Sequence, residues 1–199
     1  MTTRILALAT CVLGLAACDD GELISNPDEV ITTVTLTFTP MGGGTPVTAS
    51  FDDPDGDGGN APTIDSIALP AGAFTLAVEL LNALETPAEN ITEEVADESD
   101  QHQIFLTGTA VDGPATSNPG APLMHGYTDS DVNGFPIGLA SSVAARSGTG
   151  DLTLTLKHLP PLDGSPLKTA DLAAGVKANG ISSIPGDTDV SVTFPVSVP

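Results

Sequence analysis

The chain has 199 residues, 40% of them apolar, with 26 acidic side chains against 5 basic ones, a formal charge of −21. That length and apolar share suffice for one buried core. A field so negative, with no cluster of Lys or Arg, argues against nucleic acid and anionic lipid as partners and favours cations or saline surroundings.

The first predicted element is a secretory signal. Arg4 precedes an apolar run from Ile5 to Ala17, broken only by Thr10, and small residues close it. The run is shorter than the roughly 20 residues a membrane-spanning helix needs. A cysteine directly after Leu15-Ala16-Ala17 resembles the lipobox of bacterial lipoproteins. Residues 1–17 therefore read as a lipoprotein signal peptide and Cys18 as the acylated (palmitate-bearing) first residue of the mature chain. Cys11 leaves with the signal, so no thiol remains for redox or metal chemistry. Removing Arg4 leaves 4 basic residues against 26 acidic, or −22. Residues 18–29 read as a lipidated acidic tether, and residues 30–199 as a single domain.

Strand signals begin at once. Val30, Thr32, Val34, Leu36 and Phe38 alternate on one face, which predicts a strand over 30–39. Pro40-Met41-Gly42-Gly43-Gly44 suits a hairpin, and a weaker strand is predicted over 47–51. Asp53-Pro54-Asp55-Gly56-Asp57-Gly58 then matches the D-x-D-x-[DN]-G core of calcium loops, in which alternate side-chain oxygens converge on a hard cation. The position that supplies a bidentate Glu in an EF-hand is Ile64, so this is not an EF-hand, although Asp52 or Asp65 stands near enough to join. Strands are predicted over 64–69 and, from Phe74, Leu76, Val78 and Leu80, over 74–80. Thr86-Pro87-Ala88-Glu89 carries helix-start chemistry, with Pro at the first helical position. The acidic run from Glu85 to Asp100 reads as a solvated edge or loop.

His102 shares parity with Ile104 and Leu106 at the start of a strand predicted over 104–110. His158 shares parity with Leu152, Leu154 and Leu156 at the end of another. If those strands pair antiparallel, both imidazoles sit at the same end of the core rim, where a transition metal or haem could bind. Strand-end histidines also serve as hydrogen-bonded rim residues, and no H-x-H or H-x-x-x-H spacing is present. A second acidic loop, Asp129-Ser130-Asp131-Val132-Asn133-Gly134, follows His125 and Tyr127, with Ala140 in the bidentate position. The predicted calcium ligands are thus Asp53, Asp55, Asp57, Asp129, Asp131 and Asn133, against the alternative that these carboxylates cap their own backbone. Further elements are a strand over 137–143, a short helix over 169–177, and a last strand through Val190, Val192, Phe194, Val196 and Val198. Pro195 lies on its outward face and predicts a sheet edge or a break there.

About eight strands with one apolar face and scarce helix predict an all-β, immunoglobulin-like two-sheet sandwich, with a jelly roll as the alternative. No nucleophile elbow, phosphate-binding loop or zincin motif is present, so an enzyme is not expected. The segments VITTVTLTFTP (30–40), DPDGDGGNAP (53–62), ETPAENITEEV (85–95), DQHQIF (100–105), YTDSDVNGFPIGL (127–139) and GTGDLTLTLKHLP (148–160) resemble a group of uncharacterised Bacteroidota lipoproteins. Some members carry a label naming a type 1 periplasmic-binding fold, a two-lobed α/β architecture that this strand-patterned chain does not match. The resemblance implies an outer-membrane lipoprotein on the periplasmic or cell-surface face, with Asp19, Asp20 and Glu22 loosely like a surface-export signal. The function expected is a non-enzymatic binding or structural role in the envelope, with the membrane reached through the lipid and calcium ordering the loops. The alternative is a lipoprotein that captures haem, metal or glycan for uptake.

Overall fold

The structure is a computed structural model that describes residues 29–56 and 58–199. The segments read as signal peptide and tether up to residue 28, with Cys18, and Asp57 lie outside the described residues. Two sheets pack on each other. The larger runs β3 (Thr63–Ile64), β2 (Val47–Asp52), β1 (Thr33–Pro40), β5 (Gly72–Leu81), β9 (Ala140–Ala145), β8 (Leu123–Tyr127), β7 (Val111–Asp112). The smaller runs β4 (Ile67–Ala68), β11 (Asp187–Val198), β10 (Gly148–His158), β6 (His102–Thr107). The fold is an all-β sandwich, with eight strands of five residues or more and three of two residues among the described residues.

Period-two patterning builds the core. Val34, Leu36 and Phe38 of β1, Leu154 and Leu156 of β10, and Phe194 of β11 are all fully buried; the residues between them in β1 lie half-buried, and those flanking Phe194 face outward. β6 departs from alternation, with His102 to Leu106 buried on both faces. Its outer face is covered by α2 (Leu172–Asn179), whose Leu172, Ala173 and Val176 pack with Phe105, Ala115 and Leu159 in a second apolar cluster.

Several expected boundaries move. The ladder of β1 starts near Thr32, which leaves Val30 half exposed. The strand expected over 64–69 is split between the sheets, because Asp65 is tied to the Ser50 amide and hydroxyl while the chain crosses over. The strand expected at 137 starts at Ala140, because Asp129 holds the amides of Gly138 and Ala140 in a loop. Gly138 sits there at φ +96°, and a Cβ on it would press against the Ile104 side chain and carbonyl. Pro195 faces outward as expected. β4 pairs with β11 in parallel only from Val196 onward, just past the missing amide.

The helix expected at Pro87 begins later, as α1 (Ile91–Asp97). Asn82 and Glu89 exchange backbone hydrogen bonds of 3.1 and 3.0 Å, extending the end of β5 into a closed loop that keeps Pro87 out of the helix. α1 buries Ile91 and Val95, four residues apart on one face. Its Thr92 hydroxyl accepts from the Leu80 amide at 2.8 Å and donates to the Leu80 carbonyl at 3.2 Å, so one side chain completes the ladder at the end of β5. Thr92→Val keeps the shape and leaves both backbone groups unpaired. The expected cost is about 1–3 kcal/mol, read as a lower urea midpoint at unchanged slope.

Candidate functional site

The β6–β10 register places His102 directly opposite His158. The rings stack with centroids 4.6 Å apart and planes inclined by 12°, and both residues are at most 2% exposed. This is the antiparallel pairing on which the sequence argument depended, and it brings both histidines to one end of the core. His102 Nδ1 lies 3.2 Å from the carbonyl of Glu98, the C-cap of α1. A carbonyl only accepts, so the contact assigns the proton to Nδ1 and leaves Nε2 as the free nitrogen of the neutral ring.

Two carboxylates meet that nitrogen. Glu29 Oε1 is 3.0 Å from His102 Nε2, and Glu29 Oε2 is 3.8 Å from His158 Nδ1. Glu29 is the last residue of the segment read as tether, yet its side chain is only 5% exposed. Asp189 Oδ2 is 4.0 Å from Nε2, in a side chain that is fully buried. By strict alternation Asp189 would face outward, since Val190 faces the core. The register, however, runs from Leu156↔Val190 to Lys157↔Thr188, making Asp189 the extra residue of a β-bulge that turns its carboxylate inward. Burial pulls the His102 pKa down, but the contact and charge of Glu29, the Glu98 carbonyl and Asp189 outweigh it and hold the ring above its ordinary value. Burial alone would raise the Glu29 carboxyl, whereas His102, a backbone hydrogen bond and His158 hold it below its ordinary value.

The first acidic loop reaches the same end. Glu29, Asp53, Asp55 and Asp189 all line one cavity of about 550 Å³. Asp55 Oδ2 accepts from the Asn60 amide and side chain, while Oδ1 of Asp55 and Oδ1 of Asp53 are buried without a hydrogen bond. Asp52 and Asp65, the other acids near this loop, bond to Ser50 instead.

The second loop spends its carboxylates on its own chain. Asp129 accepts from the amides of Gly138 and Ala140 at 2.9 and 2.8 Å. Asp131 Oδ1 accepts from the amides of Asn133 and Phe135 at 2.8 and 2.9 Å, and its Oδ2 is 3.0 Å from Lys168 Nζ. Lys168 is 3% exposed and also donates to the Ser99 carbonyl. Burial depresses its pKa despite Asp131, while Asp131 overcomes its own burial through those amides and Lys168 and is also depressed. Asn133 lines a separate cavity of about 370 Å³ beside Phe135 and Lys168.

His125 lies in the other sheet, bonded through Nε2 to Ser141 at 3.0 Å and set edge-on to Tyr127. Burial pushes its pKa down to about 4, against a smaller opposing pull from Asp129. Burial likewise pushes the Tyr127 phenol, which donates to the Ile104 carbonyl, up to about 12.

No protein-family model, curated protein or solved structure matches this chain. The site stands on its own geometry.

Two predictions concern the surroundings of the site. Asp131→Asn keeps the loop's amide acceptor but strips Lys168 of its counter-charge, and should cost about 3–5 kcal/mol. Adding Lys168→Met should recover part of that loss in chemical denaturation. For His125, the folded pKa near 4 lies below the ordinary 6.5. Its contribution is therefore complete above the ordinary value and is lost as pH falls toward the folded one, by about 3 kcal/mol in all. The stability difference between wild type and His125→Gln should shrink across that window in pH-dependent denaturation.

Proposed function

We propose that this chain is a non-enzymatic, lipid-anchored protein of the bacterial outer envelope that binds a divalent cation, calcium first, at the Glu29 end of its sandwich. The observation that carries this reading is the convergence of Glu29, Asp53, Asp55 and Asp189 on one cavity. Glu29 Oε2 there belongs to a nine-tenths-buried side chain and has no hydrogen bond. Oxygen donors suit a hard cation, and a dication offsets the cost of holding carboxylates so close. The motif Asp53-x-Asp55-x-Asp57-Gly58 supplies the loop, and the bulge at Asp189 supplies a ligand from outside it, in place of the missing bidentate Glu. The second loop, with Asp129 and Asp131 already bonded, serves as structure in this reading.

The anchor rests on Leu15-Ala16-Ala17-Cys18 and the resemblance to Bacteroidota lipoproteins. Among the described residues no helix is long and apolar enough to cross a membrane.

Thermal unfolding of the full chain in detergent tests the cation. Calcium at 100 times its dissociation constant should stabilise by about 2.7 kcal/mol over EDTA, a shift of a few degrees, with magnesium at matched ionic strength giving less. Asp55→Ala should remove that shift while leaving the melting point in EDTA nearly unchanged. Separately, Cys18→Ser should release the protein from the membrane fraction; a variant that still pellets overturns the lipid anchor.

A further inference from the structure

We propose that His102, His158, Glu29 and Glu98 form a second site, for a transition-metal ion of the zinc class, beside the acidic cavity. It shares Glu29 with the calcium reading but stands on separate, nitrogen-bearing donors. One donor atom from each of the four residues lies within 4.8 Å of all the others. Tetrahedral bonds of about 2.0–2.2 Å hold ligands about 3.3–3.6 Å apart, so rotations of roughly 1 Å close the set.

Three features separate this cluster from an ordinary ion pair. First, His102 already has the partner that ligating histidines use: Nδ1 donates to the Glu98 carbonyl, fixing the ring with Nε2 free. Second, that Nε2 is fully buried and 3.0 Å from Glu29 Oε1. With the ring proton on Nδ1, the Nε2 lone pair faces a carboxylate oxygen, and a cation bound by both removes that repulsion. Third, His158, 2% exposed and stacked on His102, brings a second imidazole within ligand range. Imidazole nitrogen favours zinc, cobalt, nickel and copper over calcium and magnesium. A dication would also neutralise the Glu29 carboxylate beside the two rings, with Asp189 at 4.0 Å from His102 Nε2 as a further anionic neighbour. Glu29 and Asp189 line the cavity as well, which gives an ion a route in.

The competing occupant is a proton, which would make His102 and Glu29 a plain imidazolium–carboxylate pair. Cobalt separates the two. The EDTA-stripped full chain in detergent is titrated with Co²⁺, followed by its visible d–d absorption, and zinc is then added to displace it. One Co²⁺ per chain, displaced by equimolar zinc and unaffected by Asp53→Asn, is the expected result. His102→Gln and Glu29→Gln should each weaken Co²⁺ by more than the roughly 10–100-fold that an outer-shell change costs. In case a variant fails to fold, ring-nitrogen NMR of the wild type reads the same point, since zinc should shift the His102 and His158 signals and leave His125 in place. Absent d–d absorption, or zinc that moves neither His102 nor His158, overturns the proposal. Calcium stabilisation in that same protein would leave the acidic-cavity reading intact, and no response to any cation would remove both.

Discussion

The structure depends on β10, which lies between β11 and β6 in the smaller sheet. β11 accompanies it from Gly148 to His158, and β6 joins over the last six residues. Leu152, Leu154 and Leu156 give its inward face to the core, and by the same parity the next inward position is His158. β6 runs the other way, so its first inward residue, His102, must lie across from it. The rule that packs the hydrocarbon thus also forces two imidazoles together at the end of the core. Once there, they are out of water and need partners.

Those partners come from elements far apart in the chain, each placed by its own local physics. The end of α1 delivers the Glu98 carbonyl, and α1 is seated by Ile91, Val95 and the Thr92 hydroxyl. The bulge in β11 delivers Asp189. The segment preceding β1 delivers Glu29. A buried polar network of this sort costs more than it returns when any member is left unmatched. Its balance therefore depends on what, proton or metal, sits between His102 Nε2 and Glu29.

Alternation made the sandwich and the two-histidine rim legible, because side-chain parity is a local property of sequence. What parity could not show was any group placed by an irregularity. Asp189 has outward parity and reaches the site only through a bulge, for which a lone Asp beside an apolar run is no signal. Glu29 looked like one more acid in a polar lead-in; only the His102–His158 pair gives it a reason to be buried. Lys168 carries no signal of its own in the sequence, and its burial follows from the fold of the second acidic loop. β8 was missed because His125 and Gly126 interrupt an alternation that is otherwise present, with Leu123 buried and Met124 exposed.

The two acidic loops show why a motif of oxygens does not by itself define a cation site. Both present Asp at alternate positions before a glycine, and the sequence treats them alike. They differ in the supply of hydrogen-bond donors. After the second loop the chain turns back as β9, so the amides of Gly138 and Ala140 meet Asp129, and the amides of Asn133 and Phe135 with Lys168 meet Asp131. Its carboxylates act as staples, with their charge already answered. In the first loop Asn60 answers one oxygen of Asp55, while Oδ1 of Asp53 and Oδ1 of Asp55 are left buried without a hydrogen bond beside a cavity that Glu29 and Asp189 also line. Carboxylates without donors at close range repel one another, and a dication relieves that repulsion where a backbone amide is lacking. The distinction between staple and ligand thus lies in where the following chain sends its amides, a property of the fold that the loop sequence does not contain.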